Sequence, residues 1–144
     1  MKIFTIGFTK KSAEDFFTRL KNPELQKLVD VRLNNVSQLA GFAKRDDLRF
    51  FAKAICGVDY EHLPLLAPTQ AMLDAYKKMR GSWSEYEKGF LELMKERQIE
   101  SKIPREQLDR GCLLCSEDKP NHCHRRLVAE YLQGKWGDLE VVHL

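Results

Sequence analysis

The chain has 144 residues, enough for one domain around a single sizeable core, and 43% hydrophobic with 31% charged residues sets disorder aside as the default. A net charge of +3, from 24 basic against 21 acidic residues that interleave, permits nucleic-acid contact but does not argue for it. Uncharged stretches such as residues 33–43 are far below the roughly 20 apolar residues of a bilayer span, and no secretory h-region follows Met1, so a cytoplasmic, membrane-free domain over residues 1–144 is expected.

In chain order, Lys2 to Ile6 reads as a strand ending at Gly7. Ser12 starts a helix with Asp15 placed for a capping-box-like pair and Phe16, Phe17 and Leu20 as its apolar stripe, and Asn22-Pro23 stops it. Leu28 to Val31 is a short second strand. Asp46 or Asp47 begins a helix with Leu48, Phe51, Ala52 and Ile55 on one face, closed by Gly57, and Val58 to Leu63 is a third strand. Thr69 caps a helix carrying Met72, Leu73, Tyr76 and Met79. Ser82 and Glu85 open a longer one with Trp83, Tyr86, Phe90, Leu93 and Met94 inward. Gly111 to Cys115 is an apolar run typical of a strand buried on both faces. After the polar loop Ser116 to Pro120 comes a helix with Leu127, Val128, Tyr131 and Leu132 as its stripe, ended by Gly134, and Leu139 to His143 is the last strand.

Strands separated by helices, with no hairpin signal, imply crossover connections. The expected fold is therefore α/β, three-layered, with a mostly parallel sheet of about five strands and helices on both faces. In such sheets ligands bind beyond the carboxyl ends of the strands. That rule selects Gly7 to Thr9, Asp30 to Arg32, His62, Ser116-Glu117 and His122 to Arg125, where polar, reactive residues accumulate.

Four cysteines, Cys56, Cys112, Cys115 and Cys123, stand in this sequence. In a reducing compartment the last three are a metal site, a reactive thiol with companions, or small core residues. A zinc set built on Cys112 and Cys115 with Cys123 and His122 or His124 meets a geometric objection. Positions 112 and 115 of one strand point to opposite faces, so one ion does not take both. Cys123-His124-Arg125 opens a helix, where free N–H groups favour anions. A thiol there gains nucleophilic character, and a guanidinium can grip a phosphate bidentately. Alternatively Cys123 is buried and inert and Arg125 pairs with an acid such as Asp30 or Glu117. Asp30 and Arg32, on an otherwise apolar strand, are either a structural pair or part of a site, because a carboxylate buried alone would resist ionisation. Glu117 reaches the same edge as a general acid/base, and His62 is either a ligand contact or a hydrogen-bonded strand-end residue. No Gly-x-Gly-x-x-Gly or Walker pattern occurs, and no cysteine opens a six-residue loop ending in Arg, which disfavours dinucleotide, P-loop, thiolate-phosphatase and sulfurtransferase sites.

Thr5-Ile6-Gly7, Leu28-Val29-Asp30-Val31-Arg32, Tyr60-Glu61-His62-Leu63-Pro64, and Leu114-Cys115-Ser116-Glu117 with Pro120 and Cys123-His124-Arg125-Arg126 resemble the DUF488 family of small prokaryotic proteins. The likeness extends to the closing Val141-Val142-His143-Leu144 and so covers the whole chain. It implies that Asp30, Arg32, Glu117, Cys123, His124 and Arg125 belong together, and it supplies no reaction. Phe8 stands where the family usually has a His, and Leu65-Leu66-Ala67-Pro68 where it often has Leu-Gly-Gly. Cys112 matches nothing in the pattern.

The leading expectation is an enzyme acting on a phosphate-bearing substrate, a nucleotide or nucleic acid. Asp30, Glu117, Cys123 and His124 are its catalytic candidates, and Gly7, Arg32, His62, Cys115 and Arg125 its substrate-binding ones. No cofactor is expected, and zinc is the one considered. The alternatives are a non-catalytic anion- or partner-binding module and a Cys/His metal-binding protein.

Overall fold

Five short segments pair into one all-parallel sheet. They are β1 (Lys2–Gly7), β2 (Lys27–Asp30), β3 (Asp59–His62), β4 (Gly111–Cys115) and β5 (Glu140–His143), in the spatial order β3-β2-β4-β1-β5. The computed structural model describes residues 1–36 and 40–144, so the uncharged stretch 33–43 lies partly outside the described residues. The central strand β4 is buried at every position, as its uninterrupted apolar sequence predicts.

Helices cover both faces. On one, α1 (Ala13–Leu20) and α2 (Arg45–Phe51) press Phe16, Phe17, Leu20 and Leu48 onto Phe4, Ile6, Leu28, Cys112 and Leu114. On the other, α4 (Trp83–Arg97) and α7 (His124–Trp136) bring Phe90, Met94, Leu127 and Leu132 against Ile3, Val29 and Leu113; α3 (Gln70–Lys77), between Thr69 and the Ser82 cap, lies against α4. Ser12, Thr69 and Ser82 each accept a hydrogen bond from the backbone N–H three residues on, as caps do. The Asp15 carboxylate does not close the capping box; it takes Arg19 instead.

Four details depart from the sequence reading. After Phe51, α2 continues as a π-turn, Ala52–Cys56, before Gly57 (φ 68°) ends it. The wider turn inserts a residue into the helical register, and Ile55 rotates out of the stripe to the surface. Met79 lies past the end of α3 and is exposed. The last helix runs through Gly134 and stops at Gly137 (φ 83°). Two short helices, α5 (Ile99–Lys102) and α6 (Arg105–Leu108), stand before β4, where no periodicity long enough to announce a helix exists.

The connections after β1 and β2 cross one face and those after β3 and β4 the other. A crevice is therefore forced at the carboxyl edge where β2 and β4 lie side by side. Phe16, fully buried and edge-on to Phe17 at 5.0 Å between centroids, fixes the α1 layer. Phe16→Ala is expected to remove about 3–5 kcal/mol of unfolding free energy, read as a lowered urea midpoint.

Candidate functional site

Asp30 ends β2 with no exposed surface, so its charge must be met inside the protein. Arg32, two residues on and also buried, meets it with a bidentate fork: Nε donates to Oδ1 and Nη2 to Oδ2, both at 2.8 Å. The Arg32 backbone N–H (3.1 Å), the Tyr60 hydroxyl (2.5 Å) and Asn35 Nδ2 (3.3 Å) complete five bonds to the carboxylate. Burial alone would raise the Asp30 pKa, but these donors and the Arg32 charge hold it below the usual carboxylate range. Burial and the Asp30 charge push the Tyr60 phenol up, so it stays a donor. The Arg32 guanidinium also lies 5.3 Å from the Phe8 ring centroid. Its remaining nitrogen, Nη1, is buried and has no hydrogen-bond partner among the described residues.

The loop after β4 is fastened by basic side chains. Arg125, almost wholly buried, donates from Nη1 to the Glu117 carbonyl, from Nη2 to the Asp118 carbonyl (3.2 Å) and from Nε to the Thr5 hydroxyl (3.4 Å). Arg126 holds the Pro120 and Asn121 carbonyls at 3.2 and 3.1 Å, and Lys11 pairs with Asp118 at 2.7 Å. Gly7 makes this packing possible: a Cβ there would fall 1.6 Å from the Glu117 carbonyl oxygen and 2.8 Å from Arg125 Nη1. Gly7→Ala is therefore expected to displace the 116–118 loop and cost about 1–3 kcal/mol, measured by chemical denaturation.

Behind the loop, β4 and the first turn of α7 bring together three side chains, all buried. Cys115 Sγ lies 3.5 Å from His124 Nδ1, and the ligand atoms of Cys115, Cys123 and His124 lie within 4.8 Å of one another. His124 Nε2 is 2.7 Å from the Val31 carbonyl. A carbonyl only accepts, so Nε2 carries the hydrogen and Nδ1 presents its lone pair to the sulfurs. The Cys123 thiol donates toward Cys115. That bond, with the Ser116 N–H and the Arg125 charge, lowers the Cys115 pKa in spite of burial, while Cys123 rises well above the usual thiol value. Burial lowers the pKa of His124 and raises that of Cys112. Cys112 faces the α1 layer and Cys115 the α7 layer, as the strand period requires.

A cavity of about 340 Å³ opens at this edge, within the range of small-molecule sites. Arg32, Cys115, Glu117, Cys123 and His124 line it. Asp30, Gly7, His62 and Arg125 do not. Asp30 supports Arg32 from below; His62 Nε2 is bonded to the Arg32 carbonyl at 2.7 Å; Gly7 and Arg125 serve the loop behind. The sequence grouped these four with the ligand-contacting residues because strand-end position alone does not separate a lining side chain from its support.

What the sequence reading missed is the opposite wall, apart from His122. Trp83 stacks on Tyr86 (centroids 5.2 Å, 26°) and on His122 (5.0 Å, 22°), with Tyr76 5.0 Å from Tyr86, and all four line the cavity. Their helical spacing reads as core stripe, although three aromatics crowded around the Ser82 cap were a usable signal. At the mouth, exposed Lys77 pairs with Glu117 at 3.1 Å and Lys78 with Asp74 at 3.5 Å.

A parallel α/β sheet with a thiol–imidazole cluster and a buried guanidinium at its carboxyl edge defines the class of protein. The chain belongs to the family described as "Domain of unknown function DUF488", whose model matches residues 12–132. No curated protein and no solved structure matches it. No helix among the described residues is long and apolar enough to cross a membrane.

Because Asp30 ionises more readily folded than unfolded, its contribution to stability is full above about pH 4 and is lost as pH falls through the depressed folded pKa. Asp30→Ala leaves the buried Arg32 charge uncompensated. It is expected to cost about 3–5 kcal/mol near neutral pH and to flatten the acid limb of a stability-against-pH curve, followed by urea unfolding.

Proposed function

We propose that the protein is an enzyme acting on a phosphate-bearing substrate with a planar ring, of the nucleotide class. The observation that carries this reading is Arg32 Nη1, a buried donor with no partner among the described residues, in a residue that lines the cavity. An unmet buried donor costs about 1–3 kcal/mol, which a phosphate oxygen offsets on binding. The aromatic wall offers the π-face on which a base stacks, worth about 1–3 kcal/mol per base. Lys77 and Lys78 sit in solvent-exposed ion pairs of little strength and exchange their acids for a phosphate readily. Cys115, Cys123 and His124 then lie beneath the reacting group, and Glu117 at the rim is its acid/base.

Trp136→Phe leaves Trp83 as the sole tryptophan, and its fluorescence reports on the cavity. Nucleoside monophosphates are expected to quench it saturably, with affinity falling as salt rises. The parent nucleoside, or the Arg32→Lys protein, is expected to bind about tenfold more weakly, a loss of about 1.4 kcal/mol. Equal affinity for nucleotide and nucleoside, indifferent to salt, overturns the phosphate assignment. Glu117→Gln should bind the nucleotide and not convert it, as followed by mass spectrometry; conversion at the unmodified rate overturns the role of Glu117.

A further inference from the structure

The zinc objection read from the sequence holds for Cys112, which faces the far layer of the core. It does not reach Cys115 and Cys123, which share a side with His124. Two thiols and an imidazole nitrogen within 4.8 Å of one another approach the ligand spacing of a tetrahedral ion, whose bonds run about 2.3 Å to sulfur and about 2.0–2.1 Å to nitrogen. The 3.5 Å between Cys115 Sγ and His124 Nδ1 already falls within that arrangement.

Outer contacts favour the same use. Metal-binding imidazoles usually donate their other N–H to a carbonyl or carboxylate, which fixes the ring and aims the free nitrogen. His124 makes that bond to the Val31 carbonyl at 2.7 Å. The Phe90 ring, 5.4 Å from the imidazole, screens the cluster on the α4 side. Two supports come from different elements, Cys115 from the end of β4 and Cys123-His124 from the start of α7, so the tertiary fold holds the ligands in place before any ion arrives.

We propose that Cys115, Cys123 and His124 bind one thiophilic divalent ion, zinc by ligand type, with its fourth position open to the cavity. Three protein ligands with a free fourth position is the arrangement of catalytic rather than structural zinc. All three side chains line the cavity, so a water or substrate oxygen entering there reaches that position, and Glu117 lines the same space. Two thiolates cancel the charge of the ion, which leaves the neighbouring Arg125 bonded to its carbonyls as before. Binding removes the remaining thiol protons, so affinity rises with pH.

The full chain, freed of metal with a chelator under reductant, is dialysed against zinc in competition with a chromophoric chelator, without nucleotide. One zinc per chain is expected. Cobalt in its place is expected to give tetrahedral visible bands and a thiolate charge-transfer band. Zinc should also protect Cys115 and Cys123, but not Cys56, from iodoacetamide in peptide mass spectra. Cys115→Ser, Cys123→Ser and His124→Gln should each lower affinity more than about 100-fold, since even outer-contact changes cost 10–100-fold. Cys56→Ser should leave it unchanged. Should the variants misfold, the cobalt spectrum and the protection pattern of the unaltered chain still decide. Substoichiometric zinc, an octahedral cobalt spectrum, or alkylation of both cysteines in excess zinc overturns the site; so does a Cys115–Cys123 disulfide whose reduction restores no metal uptake. A failed nucleotide titration leaves these readouts untouched and bears only on the phosphate reading.

Discussion

The carboxyl edge of the sheet depends on one buried guanidinium. A loop that turns from the central strand into α7 leaves carbonyls facing inward, and inward carbonyls need donors. Arg125 supplies them, reaching the Glu117 and Asp118 carbonyls and the Thr5 hydroxyl at once. Gly7 lets the loop come close enough for those bonds to form. The same loop sets the distance between Cys115 and the first turn of α7, so the thiol–imidazole cluster is a consequence of how the loop is fastened. Only an always-charged, five-donor side chain fits this role, which is why a Lys at position 125 would not replace it.

The second buried guanidinium, Arg32, is met by a carboxylate instead. Asp30 takes the fork of Arg32 together with Tyr60 and Asn35, so the guanidinium is held at the cavity wall with one nitrogen that has no partner among the described residues. Desolvating a carboxylate and a guanidinium is costly unless both are met, and the five-bond shell of Asp30 meets that requirement on one side only. Phe8 lies beside the Arg32 guanidinium, its ring centroid 5.3 Å away. Arg32 is thus held by an aromatic face as well as by the Asp30 carboxylate.

Much of the edge was legible from sequence because strand period and helix caps are local. The burial of β4, the opposite facing of Cys112 and Cys115, and the caps at Ser12, Thr69 and Ser82 follow from neighbouring residues alone. The role of Arg125 was not, because its expected partners were carboxylates and its actual ones are backbone carbonyls that any sequence possesses. The aromatic wall was hidden for a different reason. Tyr76, Trp83 and Tyr86 satisfy the helical stripe that predicts core, and whether a stripe meets a sheet or an opening depends on what stands across from it. Ile55 left its stripe because one π-turn shifts every later residue, an effect with no signature in the pattern of apolar spacing.

By itself the sequence determined the five strands and the longer helices, their parallel pairing into an α/β sheet, the family, and the edge at which reactive residues collect. Those properties rest on periodicity, capping and connection length, all carried by short stretches of chain. Only the tertiary structure decided which of the edge residues face the cavity and which hold it up. It set Arg32 in the wall and Asp30 beneath it, Cys115 and Cys123 beside His124, and Arg125 behind the loop. The reason is that facing is a relation between elements distant in sequence, fixed by how α3, α4 and α7 pack over the ends of β2 and β4.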